Sequence, residues 1–185
     1  MMDLRILIGL CFFGLIGCGS SPENKRSEEV ADSVIAEAAE VETASMLDFP
    51  VYDFDAITTL LNKKNDTTYI VNFWATWCKP CVEELPNFEK TFAEQKNNKV
   101  ELILVSLDMR SMWQKRLVPF VEKNDLKGSV VILDDPKMNE WIPKVDQQWS
   151  GGIPATLIYN SSKRSFFEQS MTYEELNLEL RKFIN

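Results

Sequence analysis

The chain has 185 residues and a formal net charge of −8, with 45% apolar and 11% aromatic residues, enough for one well-packed domain with an appendage and too apolar for a chain disordered throughout. The acidic balance argues against nucleic acid as a partner, since phosphate binding needs a basic footprint. Histidine is absent, which excludes His-dependent triads, HExxH and Cys2His2 zinc sites and imidazole general bases, and leaves four cysteines, Cys11, Cys18, Cys78 and Cys81, to carry any special chemistry.

Residues 1–17 read as an export signal. A single Arg5 is followed by an apolar run from Ile6 to Ile16, too short for a comfortable membrane span, and small residues close it. Leu15-Ile16-Gly17-Cys18 resembles the bacterial lipobox, which implies cleavage before Cys18 and lipid on its thiol; the rival reading is an ordinary signal with an incidental cysteine. Lipidation would tie the chain to a membrane, since multiple acyl chains anchor stably, and would leave Cys78 and Cys81 as the free thiols. Residues 18–45 follow as an acidic tether. Between 19 and 45 there are seven acidic residues, two basic ones and no aromatics, so little there can be buried.

Residues 46–185 carry alternating helix and strand patterns. A helix is predicted over Asp55 to Asn62. A strand follows over Thr67 to Trp74, then a long helix over residues 79–97 that Pro86 is expected to kink. Val100 to Leu107 is nearly all apolar, as a strand covered on both faces should be. A helix over Ser111 to Asn124 would turn Trp113, Leu117, Phe120 and Val121 inward. Ser129 to Leu133 reads as a strand, Pro136 to Trp149 as a helix or irregular insert, and Ala155 to Tyr159 with Ser165 to Gln169 as a hairpin. Thr172 to Glu175 forms a capping box for a last helix ending at Phe183. The order implies an α/β fold, a mixed central sheet with helices on both faces.

Cys78-Lys79-Pro80-Cys81 falls where the first predicted strand hands over to a helix. There Cys78 sits on the unpaired N–H groups of the first turn, which favour negative charge, and a thiol so placed becomes the thiolate that attacks disulfides. Cys81, one turn on, can close a small ring and resolve a mixed disulfide. Pro80 stiffens the turn. Lys79 either favours the thiolate with its charge or is simply solvated. With no second CxxC and no histidine, a zinc site lacks ligands, and a purely structural disulfide would close too short a loop to gain much chain entropy.

The run Val71-Asn72-Phe73-Trp74-Ala75-Thr76-Trp77-Cys78-Lys79-Pro80-Cys81-Val82-Glu83-Glu84-Leu85-Pro86 resembles the active-site segment of thioredoxin-fold proteins, and more narrowly the TlpA/ResA type of membrane-anchored thiol–disulfide oxidoreductases. Gly152-Ile153-Pro154-Ala155-Thr156 is similar to their cis-proline loop, and the resemblance covers roughly residues 46–185. It implies a thioredoxin-like fold with Cys78 attacking and Cys81 resolving. It also implies that Trp77 shields the sulfurs, that Pro154 is cis and faces them, and that Ile153 offers its backbone to an extended client. Many thioredoxins carry an aspartate where this chain has Asn72. ResA-like relatives place a proton-handling glutamate where it has Glu84, whose bland reading is a solvated helix residue. The cysteine pair is the redox group, with no metal or other cofactor expected. The resemblance further implies protein disulfide clients, a membrane thiol carrier as electron donor, a place on the extracytoplasmic face of a bacterial envelope (periplasm-facing) and service in cytochrome c maturation. A disulfide-forming oxidase of the same fold and a non-catalytic partner-binding lipoprotein are the alternatives.

Overall fold

The computed structural model describes residues 49–95 and 98–184. The expected signal, the lipidated Cys18 and the tether of residues 18–45 lie outside them. Among the described residues no helix is long and apolar enough to cross a membrane.

The elements run β1 (Val51–Tyr52), α1 (Phe54–Leu61), β2 (Thr68–Trp74), α2 (Lys79–Glu94), β3 (Val100–Ser106), α3 (Val118–Asn124), β4 (Ser129–Leu133), α4 (Met138–Val145), β5 (Ala155–Tyr159), β6 (Arg164–Phe167) and α5 (Tyr173–Ile184). A short 3₁₀ turn, Arg110–Met112, and a π-helical turn, Trp113–Leu117, lead into α3. The six strands form one sheet in the order β1-β4-β3-β2-β5-β6. The first four are mutually parallel, and β5 and β6 run antiparallel at one edge.

Strand β2 sits at the parallel–antiparallel junction and is buried along its whole length. Successive strand residues face opposite sides, so it feeds two cores. Ile70 and Trp74 pack with Leu85 and Phe88 of α2, Trp113 and Leu117, and Leu176 and Leu180 of α5. Tyr69, Val71 and Phe73 pack with Phe54 and Ile57 of α1 and with Trp141 and Trp149. Helices therefore cover both faces of a mixed sheet. Asn72, buried at mid-strand, shares the α2 side with Ile70 and Trp74.

Local chemistry sets the boundaries. Asp53 caps α1 by accepting from the Ala56 N–H at 2.8 Å. Thr172 and Glu175 exchange bonds of 2.8 Å and 3.2 Å, the reciprocal capping box expected at the start of α5. Helix α2 continues as α-helix through Pro86, which is exposed.

Several elements differ from the sequence reading, and α2 ends at Glu94 rather than at residue 97. The single helix expected over Ser111 to Asn124 is 3₁₀, then π, then α. Pro119 has no N–H to donate back into the preceding turn, and the wide turn still brings Trp113, Leu117 and Val121 inward, with Phe120 only partly buried. The last strand ends at Phe167 rather than Gln169, because its partner β5 begins only at Ala155 and the residue before it, Pro154, has no N–H to extend the ladder. Strand β1 was not anticipated. Its two residues carry no periodicity, and parallel pairing with Ile132 and Leu133 alone makes them a strand.

Candidate active site

Strand β2 ends at Trp74, and the turn Ala75–Trp77 delivers Cys78 to the N-cap of α2. The turn is fastened from outside. Asp108, buried just past β3, accepts from the Thr76 N–H at 3.0 Å, the Thr76 hydroxyl at 2.6 Å and the Ser106 hydroxyl at 2.9 Å. Sequence reasoning missed Asp108; it lies 32 residues from Thr76 in no motif, and only the adjacency of β2 and β3 brings the two together.

Cys78 and Cys81 are joined as a disulfide, with Cα atoms 5.3 Å apart. The Cys81 N–H, one of the donors left without an intrahelical partner at the start of α2, points at Cys78 Sγ from 3.3 Å. Cys78 is 6% exposed and Cys81 fully buried, so only the first sulfur has a path to solvent. Trp77 stands half exposed beside it. Pro80 occupies the first turn of α2, where a missing N–H costs nothing. Lys79 is solvated and pairs with Glu83 at 3.6 Å, one turn along the helix.

The Ile153–Pro154 bond is cis. Pro154 is buried at the mouth of β5, and the Ile153 carbonyl oxygen lies 3.7 Å from Cys78 Sγ. Antiparallel pairing of β5 with β2, through Ala155 opposite Phe73, brings this loop against the disulfide from a point 75 residues away in the chain.

Beneath the pair lies a polar chain inside the core. Glu84 is 3% exposed. Its Oε1 accepts from Asn72 Nδ2 at 2.8 Å and its Oε2 from the Met171 N–H at 2.8 Å. Asn72 Nδ2 also reaches the Thr156 hydroxyl at 3.2 Å, while Asn72 Oδ1 is buried without a partner. Burial pushes the Glu84 carboxyl up to about 7, against the opposing pull of the Met171 and Asn72 donors. The solvated reading of Glu84 is thereby excluded, and Glu83 beside it is the exposed one. Among the described residues no cluster of acidic, Cys or His side chains could hold a metal ion.

The structure thus gathers Trp77, Cys78, Cys81, Ile153, Pro154 and, one layer below, Glu84. Cys18 lies outside the described residues. Residues 43–163 match the family described as AhpC/TSA. The chain belongs to the AhpC/TSA family. Among relatives with sequence similarity to this AhpC/TSA protein is the thiol-disulfide oxidoreductase ResA of Halalkalibacterium halodurans, 28% identical over 130 residues, 70% of this chain and 66% of that one. The sporulation thiol-disulfide oxidoreductase A of Bacillus subtilis is 32% identical over 63 residues, 34% of this chain and 38% of that one. The chain therefore spans less than two thirds of the length of either relative. Among solved structures, a thioredoxin family thiol:disulfide interchange protein from Chlorobium tepidum superposes with a TM-score of 0.55 at 15% identity, covering 69% of this chain and 85% of that one. A thioredoxin-related protein from Neisseria meningitidis gives 0.55 at 21% identity, covering 64% and 86%. Both share its thioredoxin-like fold.

Proposed function

We propose that this protein is a thiol–disulfide oxidoreductase that reduces disulfides of protein clients on the extracytoplasmic side of a bacterial envelope. One observation carries the chemistry. A Cys78–Cys81 disulfide sits on the first turn of α2, with an amide N–H aimed at the outer sulfur and the carbonyl before cis-Pro154 alongside it. The relatives named thiol-disulfide oxidoreductases support the same reaction class.

Starting from the dithiol, the Cys78 thiolate attacks one client sulfur. A Cys78–client bond forms, the client S–S bond breaks, and the second client sulfur leaves as thiolate and takes up a proton. Cys81 then gives its proton to the Glu84 carboxylate and attacks Cys78 Sγ. The mixed disulfide breaks, the first client sulfur leaves, and Glu84 returns the proton. Two electrons pass from the cysteine pair to the client, and the closed Cys78–Cys81 bond is what remains. A carboxyl near 7 can take and release that proton at neutral pH. When Glu84 is neutral, its O–H has an acceptor at hand, the unpartnered Asn72 Oδ1, after rotation of the amide. Ile153 and Pro154 present backbone to an extended client segment, and Trp77 covers the sulfurs. Lys79 and Pro80 line the approach.

The wider setting belongs to the same proposal. Cys18 follows an apolar run and would carry lipid, residues 18–45 would hold the domain off the membrane, and a membrane thiol carrier would re-reduce the pair. Cytochrome c maturation is the service proposed.

The test is catalysed reduction of insulin by a small thiol. Wild type should accelerate it, Cys78→Ser should not, and Cys81→Ser should accumulate a mixed disulfide at Cys78. A Cys78→Ser variant as active as wild type would overturn the mechanism. Equilibration against glutathione reads the direction. A reductant should fall nearer about −270 mV than about −120 mV, the range spanned by dithiol proteins of this kind.

A further inference from the structure

The loop that faces the disulfide is held by a residue outside every motif in the sequence. Glu168 follows directly on β6. Because β6 runs antiparallel to β5, with Phe167 opposite Thr156, the residue just past β6 lies beside the residues just before β5. Its Oε2 accepts from the Ser150 N–H at 2.8 Å, and its Oε1 from the Gly152 N–H at 2.7 Å and from the Ser150 hydroxyl. The other side of the same peptide stretch is also tied, since the indole of buried Trp149 donates to the Gly152 carbonyl at 2.8 Å. Glycine at 152 leaves room for this approach: a Cβ there would stand 2.7 Å from Glu168 Oε1, so the carboxylate would have to shift. Gly151, with φ +98°, supplies the turn between the two anchored amides.

We propose that Glu168 is a positioning residue for protein clients: its carboxylate clamps Ser150 and Gly152 and thereby fixes the Ile153 peptide beside Cys78 in the register an extended client segment must meet. The inference rests on the exchange reaction proposed above and adds the residue that orders its client-binding edge. Ser150 and Gly152 are exposed, so water can replace the lost acceptor at little cost in stability. What is lost is the fixed orientation of the loop, and only a substrate that pairs with that backbone would sense it. Both carboxylate oxygens are used by donors. Glutamine, of the same shape, would set its NH₂ against the Ser150 or the Gly152 N–H and open one side of the clamp.

The experiment compares full-length wild type, Glu168→Gln and Gly152→Ala on insulin and on hydroxyethyl disulfide, a small disulfide with no backbone to pair. The ratio of kcat/KM for insulin to that for hydroxyethyl disulfide should fall about tenfold in both variants, carried by KM, with little change in thermal midpoint. In the oxidised proteins, hydrogen exchange at the Ser150 or the Gly152 amide, whichever faces the glutamine NH₂, should be at least ten times faster in Glu168→Gln than in wild type. Parallel losses on both substrates, an unchanged ratio, or Ser150 and Gly152 amides both exchanging as fast in active wild type as in the variant would overturn the clamp alone. A wild type inert to both disulfides would overturn the exchange reaction, and this inference with it.

Discussion

Asn72 donates its amide to Glu84 across 2.8 Å, from the middle of β2 to the second turn of α2, while its own carbonyl oxygen stays buried with no partner. The two residues are the centre of a polar seam in the core that also reaches Thr156 and the Met171 N–H, and the seam is asymmetric. It satisfies a charged Glu84 as it stands, and it keeps an acceptor in reserve for a neutral one. The protonation state of Glu84 therefore decides which of two hydrogen-bond patterns the seam can adopt.

The pH dependence of stability follows from the raised Glu84 carboxyl. Its value in the fold is about 7 against 4.5 for the ordinary group, so between those two pH values the folded state holds more protons than the unfolded one. The Glu84 contribution to stability is then fully present below about 4.5, is lost as pH rises through about 7, and is gone above. A shift of this size is worth on the order of 3 kcal/mol. Urea denaturation of wild type at pH 5 and pH 8 should show that loss, and Glu84→Gln should lack it. The insulin-reduction rate of wild type should inflect near pH 7, and the inflection should vanish in Glu84→Gln.

Replacing Asn72 by aspartate places a second carboxyl within hydrogen-bond reach of the first. Two buried carboxyls so close share a proton, and the pair's upper apparent pKa rises. Asn72→Asp should move the inflection in rate above the wild-type position. It should also cost about 1–2 kcal/mol more stability at pH 8 than at pH 6, because the folded pair holds through that window a proton that wild type releases near 7. Denaturation curves at the two pH values read the difference.

Asp108 fastens the Thr76 turn and is itself 3% exposed. Asp108→Ala removes the acceptor for three donors. Loss of a buried, charge-assisted hydrogen-bond centre should destabilise by about 2–4 kcal/mol. Chemical denaturation measures this, and alkylation of reduced Cys78 should change in rate as the turn that sets it on α2 loosens.

The burial difference between the two sulfurs predicts unequal reactivity once the bond is reduced. Cys78 is 6% exposed and Cys81 is not exposed, and only Cys78 has a helix N–H aimed at it. Iodoacetamide at neutral pH should modify Cys78 at least tenfold faster, as mass spectrometry of timed samples would show. Equal rates would mean that the helix terminus does not order the pair.

Much of the fold was legible because its signals are local. The apolar run 100–107, the β-branched strand before Trp74 and the capping box at Thr172 each declare an element within a few residues. The elements misread were those whose form depends on something distant. The two residues of β1 need β4, the π turn at Trp113–Leu117 answers to Pro119 and to a core on one side, and β6 stops where its partner β5 gives way to Pro154.

The same division runs through the site. The chain alone places two cysteines at a strand–helix junction, with a glutamate one turn on and an Ile-Pro step far downstream, because spacing and helix geometry are written in neighbouring residues. Folding decides the rest. The sheet order carries Ile153 to within 3.7 Å of Cys78, brings Asp108 to Thr76 and Glu168 to Gly152, and withdraws Glu84 from water far enough to lift its carboxyl to about 7. Burial and long-range contact are properties of the packed sheet, and no stretch of sequence contains them.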